Sequence, residues 1–392
     1  MIPYEEALAR ILDAAWALST EAVAIAAAQG RVLAVPLCAD VDMPPFDKSS
    51  MDGYACRRAD LDAPLAVIEH VPAGKMPSKR IGPGQCAKVM TGAPVPEGAD
   101  CVIIVEEVES IAGDLVRFTG QAPKPNIVPQ GSDLRAGGRV LDAGIRLHAQ
   151  HLPILAAVGC ASPRVALRPR VGVMSTGDEL VPIEEQPSGA QIRNSNSIQI
   201  AAQARDAGAC VTNYGIVPDD LDIQTAAFER AFVENDVVLS TGGVSMGDYD
   251  LMPGIIAAHG LEVRLRKIAI QPGKPMVFAV GERKAVFGLS GNPVSSFLQM
   301  ELFVKPFLAR LQGIAHVPPL LHLPIDRSMS RKPAERMLWF PVSLNGEGRV
   351  APLPFHGSAH IFALAQADGL AAYRIGVYAL AQDETVPVRL IR

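Results

Sequence analysis

The chain has 392 residues, of which 49% are hydrophobic, 20% charged and 5% aromatic, with a formal net charge of −5. It is long enough for several domains with cores of their own, and its mild acidity and sparse aromatics argue against general nucleic-acid or membrane-surface binding. No apolar run approaches the roughly 18 to 20 residues of a membrane span, and acidic Glu5 and Glu6 stand where a signal peptide is positive. Six scattered cysteines with no Cys-x-x-Cys spacing read as small buried hydrophobes in a reducing compartment, so the expected location is cytoplasmic.

Residues 4–29 place apolar side chains at helical spacing, from Ala7, Ile11 and Ala14 to Leu18, followed by an alanine-rich stretch that Gly30 stops. The spacing predicts helices that form packing or dimer surfaces. Val32 to Val41 reads as a strand leading into a loop that Pro44 and Pro45 keep out of regular structure, so Asp47, Lys48, Ser49, Ser50 and Asp52 sit on a shaped backbone. From about 54 to 133, short β-rich runs alternate with Pro and Gly, which predicts a small all-β unit containing the Thr91-Gly92 turn. Helical patterning returns between Gly131 and Leu167, with Gly159 as a stop, and residues 1–20 are expected to pack against 134–167 around the inserted β unit.

From Arg168 the texture changes. Strands at Val171–Ser175, Cys210–Val217, Val237–Leu239, Glu262–Ile268, Met276–Val280 and Ala285–Leu289 are interspersed with helices at Asn196–Ala207, Leu221–Glu234, Leu251–His259 and Val294–Leu311. Strands alternating with helices of this length predict a doubly wound, mostly parallel sheet. Beyond about 320, short strands at Leu338–Leu344, Arg349–Pro352 and Thr385–Leu390 and a short helix near Ile361–Gln366 predict a small β domain. The expected fold class is therefore multi-domain α/β: a helical domain (1–20 and 134–167), an inserted β-rich domain (21–133), a central α/β domain (168–318) and a C-terminal β domain (319–392).

The chemistry collects at the strand ends, because ligands of open α/β sheets bind outside the carboxyl edge. The apolar run at Val237 ends in Ser240-Thr241-Gly242-Gly243, and Asp248 and Asp250 follow. Paired glycines let backbone amides approach a phosphate, and the aspartates call for a metal between them and that anion. Four more polar or Gly-rich turns face the same rim: Ser175 to Leu180, Pro218-Asp219-Asp220, Gln271 to Pro275 and Leu289 to Pro293. Carboxylates (Asp178, Glu179, Asp219, Asp248, Asp250), glycine amides and cations (Lys267, Lys274) are what a phosphorylated ligand bound through Mg²⁺ requires. Each turn also has a plainer reading; Asp219-Asp220, for instance, precedes a helix as a good N-cap. No phosphate loop, dinucleotide fingerprint or nucleophile elbow occurs, and the eight histidines are read as unpaired, against a zinc hydrolase.

Taken together, the motifs resemble those of the MoeA-type molybdopterin molybdenumtransferases, a family that includes the E domain of gephyrin. The resemblance runs through Ser49-Ser-Met-Asp-Gly-Tyr-Ala, Met90-Thr-Gly-Ala, Ser175-Thr-Gly-Asp-Glu-Leu, Arg193-Asn-Ser-Asn, Ser240 to Asp250, Pro272-Gly-Lys-Pro, Ser290-Gly-Asn-Pro-Val-Ser and Gly357-Ser-Ala-His. It implies an elongated homodimer of four-domain subunits whose active site is completed by the partner. Molybdenum from molybdate would enter an adenylylated molybdopterin with release of AMP, using Mg²⁺, after an adenylyltransferase has acted.

Carried over by position, the resemblance assigns Asp52, Thr91, Glu179, Asp250, Lys267 and Lys274 to catalysis. It assigns Asp133, Thr176, Gly242, Gly243, Ser245, Pro293, Arg336 and Ser358 to ligand binding, and Asp219 and Asp250 to the metal; Asp248 becomes a helix cap. For molybdate, the donors are expected from the loop at Phe46 to Gly53 or from the Thr91 turn. Two departures stand out: Ser290 where the family often has proline, which makes that loop less stiff, and Gln271 where some members have lysine. The competing readings are a molybdopterin adenylyltransferase, which needs only the central domain, and a non-catalytic dimeric scaffold.

Overall fold

The computed structural model describes residues 1–111, 113–243, 251–315, 320–332 and 335–391. The chain folds into two compact units: residues 1–34, 143–148 and 164–392 form one, and residues 35–142 and 149–163 the other.

In the larger unit, helix α1 (Tyr4–Asp13) precedes an alternation of strands and helices. These are β1 (Arg170–Thr176), α2 (Asn196–Asp206), β2 (Cys210–Val217), α3 (Leu221–Glu234), β3 (Val237–Thr241), α4 (Met252–Ala258), β4 (Glu262–Lys267), β5 (Pro275–Gly281), β6 (Lys284–Leu289), α5 (Pro293–Gln299) and α6 (Lys305–Leu311). The sheet order is β2-β1-β3-β6-β5-β4. The first four strands are mutually parallel, and β5 and β4 add an antiparallel edge. This is the expected doubly wound, mostly parallel sheet. Alternate side chains feed two cores: Val171, Val173, Leu239 and Phe287 face a layer containing α1, α2 and the α5–α6 helix, while Met174, Val238 and Val286 face α3 and α4. Burial on both faces is why these strands read as continuous apolar runs.

A second six-stranded sheet occupies the C-terminal part, around β7 (Met337–Leu344), β8 (Gly369–Tyr373) and β9 (Thr385–Leu390). Its edge strand is Ile270–Gln271, which pairs in parallel with Met337 and Leu338. That pairing brings Arg336 to the turn that follows Gln271.

The smaller unit is built on a six-stranded sheet in the order Cys101–Ile104, Gly53–Cys56, Gln85–Val89, Leu65–Val71, Leu115–Phe118 and Val108–Ile111. Its β character is as expected. Gly53 is required here, because a Cβ would run into the Ile103 carbonyl on the neighbouring strand.

Three expectations need correction. Helix stops at Asp13 rather than continuing to residue 29: Thr20–Ala22 pairs with Arg164–Ala166 as an antiparallel ribbon, and only Ile25–Ala27 makes a 3₁₀ turn. Helix between 131 and 167 is confined to His151's 3₁₀ turn and Leu152–Ala157, which Gly159 does terminate at φ +73°. Between Val32 and Val41, only Leu37–Cys38 forms a strand. Alanine favours helix but offers little area to bury, so tertiary strand pairing overrides its propensity. Accordingly α1 packs on the central core, where Tyr4 meets Phe303 and Trp339 edge-on at 5.7 and 5.8 Å. Of the cysteines, Cys56, Cys86 and Cys101 are buried as expected, but Cys38 and Cys210 are exposed.

Candidate functional site

The carboxyl ends of the parallel strands carry the predicted turns. At the end of β1, Ser175 and Thr176 are buried, and the hydroxyls of Ser175, Thr176 and Ser240 have no hydrogen-bond partner among the described residues. Gly242 and Gly243 follow β3 at φ +91° and +61°. A Cβ on Gly242 would strike the Thr176 carbonyl, so this close approach admits only glycine. Asn196, at the start of α2, ties the rim together by donating to Thr241 Oγ1 at 3.0 Å and to the Gly291 carbonyl at 2.7 Å. Ser245, Asp248 and Asp250 lie outside the described residues.

Next to these turns, carboxylates crowd together. The Asp219 N–H donates to Asp178 Oδ1 at 3.0 Å, and Asp219 Oδ1 accepts from Gln224 Nε2 at 3.0 Å. Burial, then the nearby charges of Asp178 and Glu179, push the Asp219 carboxyl up from its usual range. A carboxylate held among its own kind is the donor chemistry of a hard divalent cation. Among the described residues no three or more such ligands converge on one point. Asp220, by contrast, is a cap: its Oδ1 accepts from the N–H groups of Asp222 and Ile223.

Lys274, Arg336 and Ser358 meet. They line a pocket of ≈ 430 Å³ together with Gln271, Ser290, Asn292 and Ser295. Pro293 begins α5 at its edge, and the next N–H, from Val294, donates to the Ser358 carbonyl at 3.0 Å. Neither Lys274 nor Arg336 forms an ion pair among the described residues, so the pocket holds two cations with no internal counter-charge. Lys267 lies elsewhere: it ends β4 across from Pro275 and lines a separate pocket of ≈ 420 Å³ with Arg264 and Arg266.

In the smaller unit, Asp52 and Thr91 are in direct contact. Asp52 Oδ1 accepts from the Thr91 N–H at 2.7 Å and from Thr91 Oγ1 at 2.9 Å. The Thr91 N–H, and then its hydroxyl, hold the Asp52 carboxyl below the usual carboxylate range. Asp133 is exposed just after the Pro129–Ser132 turn, its N–H donating to the Met43 carbonyl at 3.0 Å.

The histidines are not all unpaired. His356 and His360 are spaced as His-x-x-x-His on either side of Ser358, and their rings stack with centroids 4.9 Å apart. With no third ligand described beside them they do not make a metal centre. Sequence reasoning also left Gln224 and Gln299 unassigned. Their signal was an amide inside an otherwise apolar helix face, and both are fully buried.

Comparison with known proteins bears on all of this geometry. Residues 2–159 match the model of the MoeA N-terminal region (domain I and II), 172–310 that of a probable molybdopterin binding domain, and 326–391 that of the MoeA C-terminal region (domain IV). Proteins named molybdopterin molybdenumtransferase from Staphylococcus aureus and Staphylococcus epidermidis are each 33% identical, over 377 and 380 residues, covering 94% of this chain and 90% of their own. A crystal structure of a molybdopterin biosynthesis MoeA protein from Pyrococcus horikoshii superposes with a TM-score of 0.86 at 30% identity, covering 100% of both chains. A molybdenum cofactor biosynthesis protein from Pyrococcus furiosus, at 22% identity and a TM-score of 0.64, shares the fold. With its family models matched from residue 2 to residue 391 and full-length relatives a third identical, the chain belongs to the MoeA family of molybdopterin molybdenumtransferases.

Proposed function

We propose that this transferase of molybdenum cofactor biosynthesis binds molybdate in the pocket of Lys274, Arg336 and Ser358 and delivers the metal to adenylylated molybdopterin, with AMP as the leaving product. The observation that carries the assignment is the pairing of two uncompensated cations with a serine hydroxyl in one concave site. A tetrahedral dianion needs charge and several short donors, and a cavity of this size takes it with room for the dithiolene that receives the metal. The sequence had offered the loop at Phe46 to Gly53 or the Thr91 turn for that task. Thr91 is a poorer candidate, because Asp52 already accepts both its N–H and its hydroxyl and would repel an oxyanion.

Within the larger unit the roles divide by chemistry. The amides of Gly242 and Gly243 face the phosphate of the adenylyl group, and Thr176 offers a hydroxyl without a described partner to the same ligand. Asp219 would hold Mg²⁺ together with Asp250, and Glu179 belongs beside them. Bound there, the cation would neutralise phosphate charge and polarise the phosphorus. Lys274 offsets charge as AMP departs, whereas Lys267, which lines a separate pocket, is left without a role in that step. Asp52, Thr91 and Asp133 complete the site from a second copy of the chain in a cytoplasmic homodimer of four-domain subunits, which receives its pterin substrate from an adenylyltransferase.

The test is AMP release from adenylylated molybdopterin by purified protein with Mg²⁺, with and without molybdate. Molybdate-dependent release is expected. Lys274→Ala and Arg336→Ala should each raise KM for molybdate roughly tenfold or more, since each removes about 1.4 kcal/mol or more of oxyanion binding. Molybdate-independent release, or an unchanged KM in both variants, would count against the assignment.

A further inference from the structure

The pocket is walled by two separate turns, Gln271–Pro275 and Ser290–Asn292, and neither is held by regular strand pairing at its tip. One side chain joins them from beneath. Gln299, the last residue of α5, is fully buried and uses its amide at both ends. Its Oε1 accepts the Ser290 N–H at 2.9 Å, and its Nε2 donates to the carbonyls of Gly273 at 2.9 Å and Pro275 at 2.7 Å. Those three bonds bracket Lys274 on one turn and open the other. The contact to Ser290 requires a backbone N–H at position 290, which a proline there would lack. A proline-free loop has gained a hydrogen bond in place of ring stiffness, and Ser290 Oγ adds a second by accepting the Asn292 N–H at 3.3 Å.

We propose that Gln299 is a positioning residue for the oxyanion: it fixes the gap between the two turns, and with it the distance of Lys274 from the donors of the Ser290–Asn292 loop. The inference rests on the reading that molybdate occupies this pocket. Only an amide meets the requirement. One acceptor must face an N–H while two donors face carbonyls, and ionised glutamate, methionine and leucine of similar size each fail on at least two of the three contacts. Because the amide is sealed from water, a lost partner is not replaced by solvent, and the turns shift instead.

The experiment uses the full-length protein and three variants, Gln299→Met, Gln299→Glu and Lys274→Ala. The readouts are KM for molybdate, KM for adenylylated molybdopterin and direct calorimetric binding of molybdate. In Gln299→Met, KM for molybdate should rise roughly tenfold or more while KM for the pterin substrate stays within about twofold. In Gln299→Glu, an ionised carboxylate faces two carbonyl oxygens, whereas the protonated acid can donate to one and still accept from Ser290. Molybdate affinity relative to wild type at the same pH should therefore be restored at low pH and lost as pH rises through the variant carboxyl's pKa. Loss of molybdate binding in Lys274→Ala but not in Gln299→Met overturns the inference and leaves the pocket assignment standing. Unchanged binding in both overturns both. An equal rise of the two KM values with no acid recovery in Gln299→Glu assigns Gln299 a general structural role and overturns the inference. If Gln299→Met does not fold, the acid recovery of Gln299→Glu decides alone.

Discussion

At the scale of single residues, Asp52 and Thr91 form a closed pair on the surface of the smaller unit. Because the Asp52 pKa is depressed in the folded protein, its ionised form adds stability that is present above the ordinary carboxylate value and is lost as pH falls through the depressed one. Thr91→Val removes the hydroxyl and keeps the backbone N–H, which is the larger cause. The Asp52 carboxyl should move up without reaching its ordinary value near 4, as a carboxyl NMR titration would show; no movement would mean that the hydroxyl contributes nothing. Asp219 makes the opposite case, its carboxyl raised by burial and then by the charges of Asp178 and Glu179, and it is the residue proposed above to hold Mg²⁺. Mg²⁺ should raise the Tm of the wild type at neutral pH and leave that of Asp219→Asn unmoved, since only a site that binds the ion gains stability from it.

Among the secondary-structure elements, α3 shows how cap and chemistry are separated within two adjacent residues. Asp220 satisfies two N–H groups at the helix start, whereas Asp219 turns its side chain to Gln224 and the carboxylate cluster. Asp220→Ala should lower stability by about 1 kcal/mol, read from the denaturant midpoint. The same measurement on Gly242→Ala should give a larger loss, on the order of 1 to 3 kcal/mol, because the alanine must hold φ +91° against the Thr176 carbonyl. Elements of this kind were legible in the sequence. Cys210–Val217 and Leu221–Glu234 appear in the structure with the bounds read from the sequence: the strand is an edge strand with only Val217 buried but is delimited by Gly208 and Pro218, and the capped helix turns Gln224, Phe228 and Ala231 inward at helical spacing. The stretches at 14–29 and 134–167 were not legible. Their backbone partners lie more than a hundred residues away, as in Thr20–Ala22 against Arg164–Ala166, and local alanine content says nothing about such pairing.

For the whole molecule, the sequence placed five turns on one rim but treated them as equals, and it missed why Arg336 and Ser358 belong with Lys274. A two-residue strand is responsible: Ile270 and Gln271 pair with Met337 and Leu338 and so draw a late segment of the chain to the 271–275 turn. Nothing in a dipeptide announces such a pairing. The remaining site residues, Asp52, Thr91 and Asp133, lie in the other compact unit, and their proposed contribution comes from a second copy of the chain. That proposal has a direct test. Asp52→Asn and Lys274→Ala should each be nearly inactive as the sole subunit when molybdate is held well below the raised KM of Lys274→Ala. If each site draws Lys274 from one copy and Asp52 from the other, a mixed dimer carries one site with both defects and one with neither. Random exchange makes half of the dimers mixed, so an equal mixture of the two inactive proteins should recover roughly a quarter of wild-type molybdate-dependent AMP release. If both residues instead serve a site within one subunit, every site in the mixture carries one defect, and the activity stays at the level of the separate variants.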